Sequence, residues 1–412
     1  MKTEFRLIAL SVLLGTASLP GQDRAALSNL ANEILQAISD LRELEPRSEV
    51  PKGVMSRDQI EEVFRERIAQ DYSAEDLEKE RSLLVKLGVL PREYDYVEGT
   101  MQVLNEQVAG YYDPRDKTLF IADWLSPETQ QMTMAHELAH ALQDQHYGLE
   151  EILSDKDRSG DALLARRAVV EGDAVAVMFD YLLLPLQRSF VSLPNLKDLY
   201  EETLKQQLSG QAQSQQLQKA PPFIRDSLLF SYVYGARFMQ VYRKSFSWAE
   251  TGSLYASLPH STEQIIHPEK YLSEPDEPTQ LDPAIDDALR DWETEYSDIF
   301  GEYQAQLALR EYLTEEKAER ATAGWDGDRI RLLRHEDGKL ALQWDTIWDD
   351  AAEAREFRDH YAELIRLKYK IGAPKTEGDR LRWENEFDRI EISLRDRSVR
   401  ILEIEKVPVV RQ

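Results

Sequence analysis

Met134-Ala135-His136-Glu137-Leu138-Ala139-His140-Ala141-Leu142-Gln143-Asp144-Gln145-His146 lies in a segment that opens with Ser126-Pro127-Glu128 and closes at Gly148. Serine followed by proline marks a helix start, because the first turn has no use for the N–H that proline lacks, and the glycine stops the run after Tyr147. The segment predicts one long helix. On it, His136 and His140 stand ~40° apart around the axis and ~6 Å apart along it, so both imidazoles reach a single divalent ion. Glu137 stands beside them, close enough to take a proton from a metal-bound water whose pKa the ion lowers toward ~7. The spacing H-E-x-x-H on a helix thus assigns His136 and His140 as ligands of one Zn2+. Glu137 is assigned as general base and then as proton donor to a leaving amine.

Catalytic zinc takes a third protein ligand and keeps one position open. Two residues compete for that place. His146 has the spacing of peptidases that read H-E-x-x-H-x-x-G-x-x-H, but Gln143 stands where their glycine turns the chain. A helix continued through Gln143 carries His146 ~9 Å past His140 and off its face. The other candidate is Glu171, in Arg166-Arg167-Ala168-Val169-Val170-Glu171-Gly172-Asp173-Ala174. A carboxylate on an otherwise buried helix is costly unless it is paired or bound to metal, and Gly172 beside it permits close helix packing. Neutralisation of Glu171 by Arg166 or Arg167 is the competing explanation.

The chain is strongly acidic, 76 Asp and Glu against 50 Lys and Arg for a net charge of −26, which excludes nucleic acid and anionic membrane surfaces as natural partners. Cysteine is absent, so there is no disulfide framework or thiolate site, and any metal falls to His, Asp or Glu. At the start, Lys2 and Arg6, the apolar run Leu7 to Leu14 and the small residues Gly15, Thr16 and Ala17 read as an export signal over residues 1–21. The run is shorter than the ~20 residues that span a bilayer. An uncleaved anchor is the alternative. After signal removal no membrane-spanning segment is expected.

Periodicity predicts a front region of helices over residues 24–100. Leu27, Leu30, Ile34, Leu35 and Ile38 recur at helical spacing, a second helix covers Arg57 to Asp71, and a third is capped by Ser73 with Asp76 and ends near Gly88. Val108 to Ala122, with β-prone residues around Asp113-Pro114, predicts a hairpin. A helix from about Asp161 to Leu184 is very apolar between Ala168 and Val177 and is expected to be buried. The Gln-rich stretch Gln206 to Gln218 reads as a solvated helix or linker, and the acidic stretch Pro275 to Pro283 as a separator. Residues 101–320 form the expected catalytic region. From residue 324 to 412 the pattern becomes a small α+β module, with strands at Arg329–Leu333, Leu340–Thr346, Arg380–Phe387 and Ile390–Ile404 and a helix at Ala351–Tyr369. The expected class is α+β, mainly α-helical.

The stretches Gln107-Val108-Ala109-Gly110-Tyr111-Tyr112-Asp113-Pro114, His136 to His146, Val170 to Ala174, Ser261 to Tyr271 and Ala323 to Asp328 resemble those of a family of exported bacterial H-E-x-x-H metallopeptidases of the zincin clan. The likeness covers most of the chain after about Asp58. It implies a zincin-like catalytic region and is similar in logic to the gluzincins, where a Glu on a second helix completes two His ligands, which favours Glu171 over His146. Gluzincins commonly place an acid four positions after that Glu. Here Val175 stands there and Asp173 comes two after it, so the residue orienting a ligand histidine is left between Asp173 and Asp144. In zincins the strand before the active helix pairs with extended substrate, which would give that role to the edge of the Gly110–Ala122 hairpin; an ordinary hairpin covering the core is the alternative.

His260 and His267 flank Ser261-Thr262-Glu263-Gln264. His267 is the preferred stabiliser of the oxyanion formed when water adds to a peptide carbonyl, a role open also to Tyr232 and Tyr234. His335 and His360 are given no chemistry. The expected function is zinc-dependent hydrolysis of a peptide or protein substrate outside the cytoplasm, in the periplasm or beyond the cell. The alternative is a catalytically silent zinc-binding scaffold or interaction protein of the cell envelope, against which the intact Glu137 argues.

Overall fold

The computed structural model describes residues 10–12, 24–154, 158–195 and 215–406. The expected front helices form as α1 (Arg24–Arg42), α2 (Arg57–Asp71) and α3 (Ala74–Leu87). Ser73 caps α3 by accepting the Asp76 N–H, as its spacing predicts. Then comes α4 (Tyr96–Gln107), which runs through the division expected at residue 100. One apolar cluster extends from Ala31 on α1 through Leu138 and Val170 to Ile401, so the front helices share their core with the rest of the chain.

Between α1 and α2 the chain forms strand β2 (Lys52–Met55), within the region expected to be helical. It pairs in parallel with β4 (Thr118–Ala122), Lys52 opposite Leu119 and Met55 opposite Ala122. β3 (Val108–Asp113) and β4 make the predicted hairpin, with Gly110 opposite Ile121 and Asp113 opposite Thr118. The other edge of β3 pairs antiparallel with β1 (Leu10–Val12), Leu10 opposite Tyr111. The rest of the expected export signal, residues 1–9 and 13–21, falls outside the described residues. The sheet order is β1-β3-β4-β2.

Helix α5 (Pro127–Tyr147) packs on this sheet and against α1. Ser126 accepts the Thr129 N–H at its start, and the helix stops before Gly148, both as expected. A short α6 (Leu149–Ser154) leads toward α7 (Gly160–Leu183), whose middle is buried as its apolar run predicts. The Gln-rich stretch lies outside the described residues up to 214, and Gln215–Lys219 is a short helix. Helix α8 (Pro222–Ser245) then crosses α7 at very short range. A Cβ on Gly172 would lie 2.2 Å from the Gly235 carbonyl oxygen, and one on Gly235 would lie 2.0 Å from that of Ala168, so only glycine fits on either side.

A short α9 (Thr262–Ile266) and α10 (Gly301–Arg310) connect this helical body to a second sheet. That sheet is antiparallel with seven strands in the order β5-β6-β7-β11-β10-β9-β8. They are β5 (Glu293–Asp298), β6 (Trp325–Arg334), β7 (Leu340–Trp348), β8 (Lys375–Glu377), β9 (Arg380–Glu384), β10 (Asp388–Arg395) and β11 (Ser398–Glu405). Two expectations are corrected here. The stretch Ile390–Ile404 is two strands, because the chain reverses at Asp396 with φ +54°. β5 joins the sheet from before residue 324, so the C-terminal unit starts earlier than its composition suggests. Helix α11 (Ala351–Tyr369) covers one face, its Phe357 and Tyr361 meeting Trp344 edge-on at 5.6 and 5.7 Å. The fold is α+β and mainly helical. Among the described residues no helix is long and apolar enough to cross a membrane.

Candidate metal centre

The predicted ligands converge. One turn apart on α5, the His136 and His140 rings lie 4.7 Å apart between centroids and at 85° to each other, so their Nε2 atoms approach to 3.1 Å. Glu171 comes from α7, and its Oε2 lies 3.2 Å from His136 Nε2 and 3.4 Å from His140 Nε2. The Gly172–Gly235 crossing seats this part of α7 firmly, because α8 presses on the residue next to Glu171. His146 is elsewhere, its Nε2 facing the Glu45 carbonyl at 2.8 Å on the surface. Glu171, not His146, therefore accompanies the two histidines.

Electrostatics sharpen the assignment. Burial alone would push the Glu171 carboxyl up, but the two imidazoles outweigh it and hold the group at about 2. Burial moves His136 down, while Glu171 overcomes burial and moves His140 up. One nitrogen from each of two imidazoles and one carboxylate oxygen, all within 4.8 Å of each other and shielded from water, suit a small divalent cation. This buried group is able to hold a metal ion.

Glu137 is fully buried on the same helix, and its Oε2 accepts the Tyr112 backbone N–H at 2.7 Å. That bond needs β3 to lie close to α5. Gly110 provides the closeness, since a Cβ there would stand 2.7 Å from the Thr133 methyl. The hairpin therefore aims Glu137 as well as covering the core.

Neither of the two carboxylates expected to orient a histidine is bonded to His136 or His140. Asp173 is bonded through both oxygens to Arg42, at 3.0 and 3.1 Å, and also accepts the Tyr255 hydroxyl. Asp144 accepts the Tyr112 hydroxyl and the Lys117 ammonium, each at 2.8 Å. It is Gln143 whose Oε1 meets His140 Nδ1, at 2.8 Å. In the sequence Gln143 stands out only as the replacement for a glycine. Its place three residues after His140, on the same helix face, is the signal that points to this contact.

His267 follows α9 and meets Glu302 of α10 at 3.0 Å, outside the group His136, His140 and Glu171. His260 pairs with Glu277. Among the aromatic candidates, Tyr234 packs with Phe230 and Tyr303 at 5.0 and 5.3 Å, whereas the half-buried Tyr232 ring faces His136 at 6.2 Å. His335 and His360 make local contacts on the C-terminal unit.

Residues 100–184 match the IrrE N-terminal-like domain, family Peptidase_M78. The match takes in the hairpin, α5 and the part of α7 that bears Glu171, so the site sits wholly within a stretch similar to a metallopeptidase-like family. Residues 290–412 match a domain of unknown function, DUF8575, and this match begins just before β5. No curated protein and no solved structure matches the chain.

Proposed function

We propose that the chain is a zinc-dependent peptidase working outside the cytoplasm, with His136, His140 and Glu171 as ligands and Glu137 as the general base. The observation that carries this reading is the approach of the Glu171 carboxylate to both imidazole nitrogens, at 3.2 and 3.4 Å, in a buried site beside a second carboxylate fixed by the β3 backbone. Bound there, the ion would supply Lewis acidity to a water and to the substrate carbonyl. The similarity of residues 100–184 to a peptidase family supports the same reaction class.

The chain's own groups divide the remaining work. The Tyr112 N–H holds one oxygen of Glu137, which fixes the direction from which the carboxylate takes a proton from the attacking water. The same carboxyl then returns that proton to the departing amine nitrogen. Tyr232, whose ring faces that of His136 at 6.2 Å, is the candidate nearest the ligands for stabilising the oxyanion. The outer edge of β3 takes an extended main chain, as its pairing with Leu10–Val12 illustrates, and this suits a peptide substrate. The positive charges of Lys2 and Arg6 ahead of the apolar run Leu7 to Leu14 support export.

The test compares wild type with Glu137→Gln on a broad peptide library, with zinc content measured in both. Retained zinc with turnover reduced at least about a hundred-fold supports the reading. Equal turnover in the two proteins contradicts it.

A further inference from the structure

We propose that Gln143 is the positioning residue of the metal centre, fixing His140 in a single tautomer and tying that ring to the helix that bears Glu171. The inference rests on the zinc-site reading of His136, His140 and Glu171. The Gln143 side chain is buried and makes two bonds: its Nε2 donates to the Val170 carbonyl at 3.1 Å, and its Oε1 faces His140 Nδ1 at 2.8 Å.

The direction of both bonds depends on what each atom is able to do. A carbonyl oxygen only accepts, so the amide must turn its NH2 toward Val170. The amide oxygen is then the atom facing His140, and it too only accepts. Nδ1 of His140 therefore carries the proton. In the neutral ring this leaves Nε2 bare, with its lone pair in the ring plane, and Nε2 is the atom 3.1 Å from His136 Nε2 and 3.4 Å from Glu171 Oε2. A metal ligand needs that nitrogen unprotonated. With the opposite tautomer, Nε2 would carry a hydrogen into the site and Nδ1 would confront the amide oxygen lone pair to lone pair.

The second bond gives the contact its reach. In a regular helix the Val170 carbonyl already accepts the N–H four residues on, so it has no need of an outside donor. Its bond to Gln143 instead joins α5 to the backbone of α7 one residue before Glu171. A single amide thus braces the ring of one ligand against the main chain of another.

The experiment uses full-length protein with 15N-labelled histidine. Ring nitrogens are read by NMR in metal-free samples at a pH high enough that the His140 ring, which Glu171 favours in its charged form, has become neutral, and zinc affinity is read by chelator competition. In wild type His140 is expected as the Nδ1–H tautomer. Gln143→Met keeps the length and removes both bonds; it should mix the tautomers and weaken zinc binding about ten- to hundred-fold. Gln143→Glu keeps an acceptor opposite Nδ1, and it should retain the tautomer and bind zinc at least about ten-fold more tightly than the Met variant. An Nε2–H tautomer in wild type overturns the proposal, as does zinc affinity in the Met variant within two-fold of wild type. Should the Met variant not fold, a Glu variant that loses the tautomer overturns it too. Wild-type protein that takes up no zinc would instead defeat the metal reading, and the ring-nitrogen signals would still decide the role of Gln143.

Discussion

Buried carboxylates meet opposite conditions in two regions of this molecule. In the metal centre Glu171 faces two imidazoles and is held at about 2, whereas burial and the neighbouring Glu302 push Glu263 of α9 up against the pull of the Lys270 ammonium. Glu263 belongs to the other group whose spacing would admit a cation, with Asp276 and Asp349, but there the chain supplies its own. The Lys270 ammonium lies 2.6, 2.9 and 2.8 Å from the three carboxylates. An ammonium in that position makes the junction between helical body and sheet self-sufficient. The His136–His140–Glu171 group offers lone pairs and a negative charge, and on the proposed reading its balancing charge would come from an ion. Geometry alone would nominate both groups as metal sites, and the occupancy of one by lysine separates them.

Removing a ligand should give the largest effect and the sharpest break between the regions. His136→Ala and Glu171→Ala are each expected to lose stoichiometric zinc by metal analysis while remaining folded, and to abolish turnover. Zinc retained by Glu171→Ala would erase the distinction between the two groups. Lys270→Met should do the reverse, leaving zinc content unchanged but three carboxylates without their cation. Lys270 is a fifth exposed, with side-chain accessibility of 20%, which moderates the cost to about 2–3 kcal/mol, read from the urea midpoint.

A smaller effect concerns pH. Burial raises the Asp161 carboxyl at the junction to about 8 and that of Asp328 to about 6, from the usual value of 3.8. An acid whose pKa is raised by folding favours the folded state when protonated, so its contribution is complete below the unfolded pKa and is lost as pH rises through the folded one. For Asp161 that window runs from 3.8 to about 8. Asp161→Asn should accordingly flatten the decline in stability across this range, measured by urea unfolding with chelator present. Parallel curves for the two proteins would show that Asp161 is ionised throughout. The least effect belongs to His146→Ala, expected to keep zinc and to change turnover less than about two-fold, since its ring meets the Glu45 carbonyl and the Tyr147 ring away from the metal group.

The parts of the structure readable in the sequence are those written in local signals. Ser126, Pro127 and Gly148 mark the ends of α5, and the H-E-x-x-H spacing places three functional side chains on it. Glu171 is legible as a carboxylate in the buried stretch of its helix, beside a glycine that meets Gly235. The parts that escaped depend on partners distant in the chain. Lys52–Met55 is too short to declare itself as a strand before β4 arrives beside it, and the charged Glu293–Asp298 looks like a loop until β6 supplies a ladder. Asp173 and Asp144 have the right chemistry to orient a histidine, but Arg42 lies 131 residues from Asp173 and claims it, while Tyr112 and Lys117 claim Asp144. The place of His267 is likewise decided by Glu302, on a helix 35 residues further on.

The most direct test of the central claim is anomalous scattering at the zinc edge from crystals of zinc-loaded protein. One strong peak is expected at about 2.0–2.2 Å from His136 Nε2, His140 Nε2 and a Glu171 oxygen. A peak on His146, or no peak between α5 and α7, would contradict it.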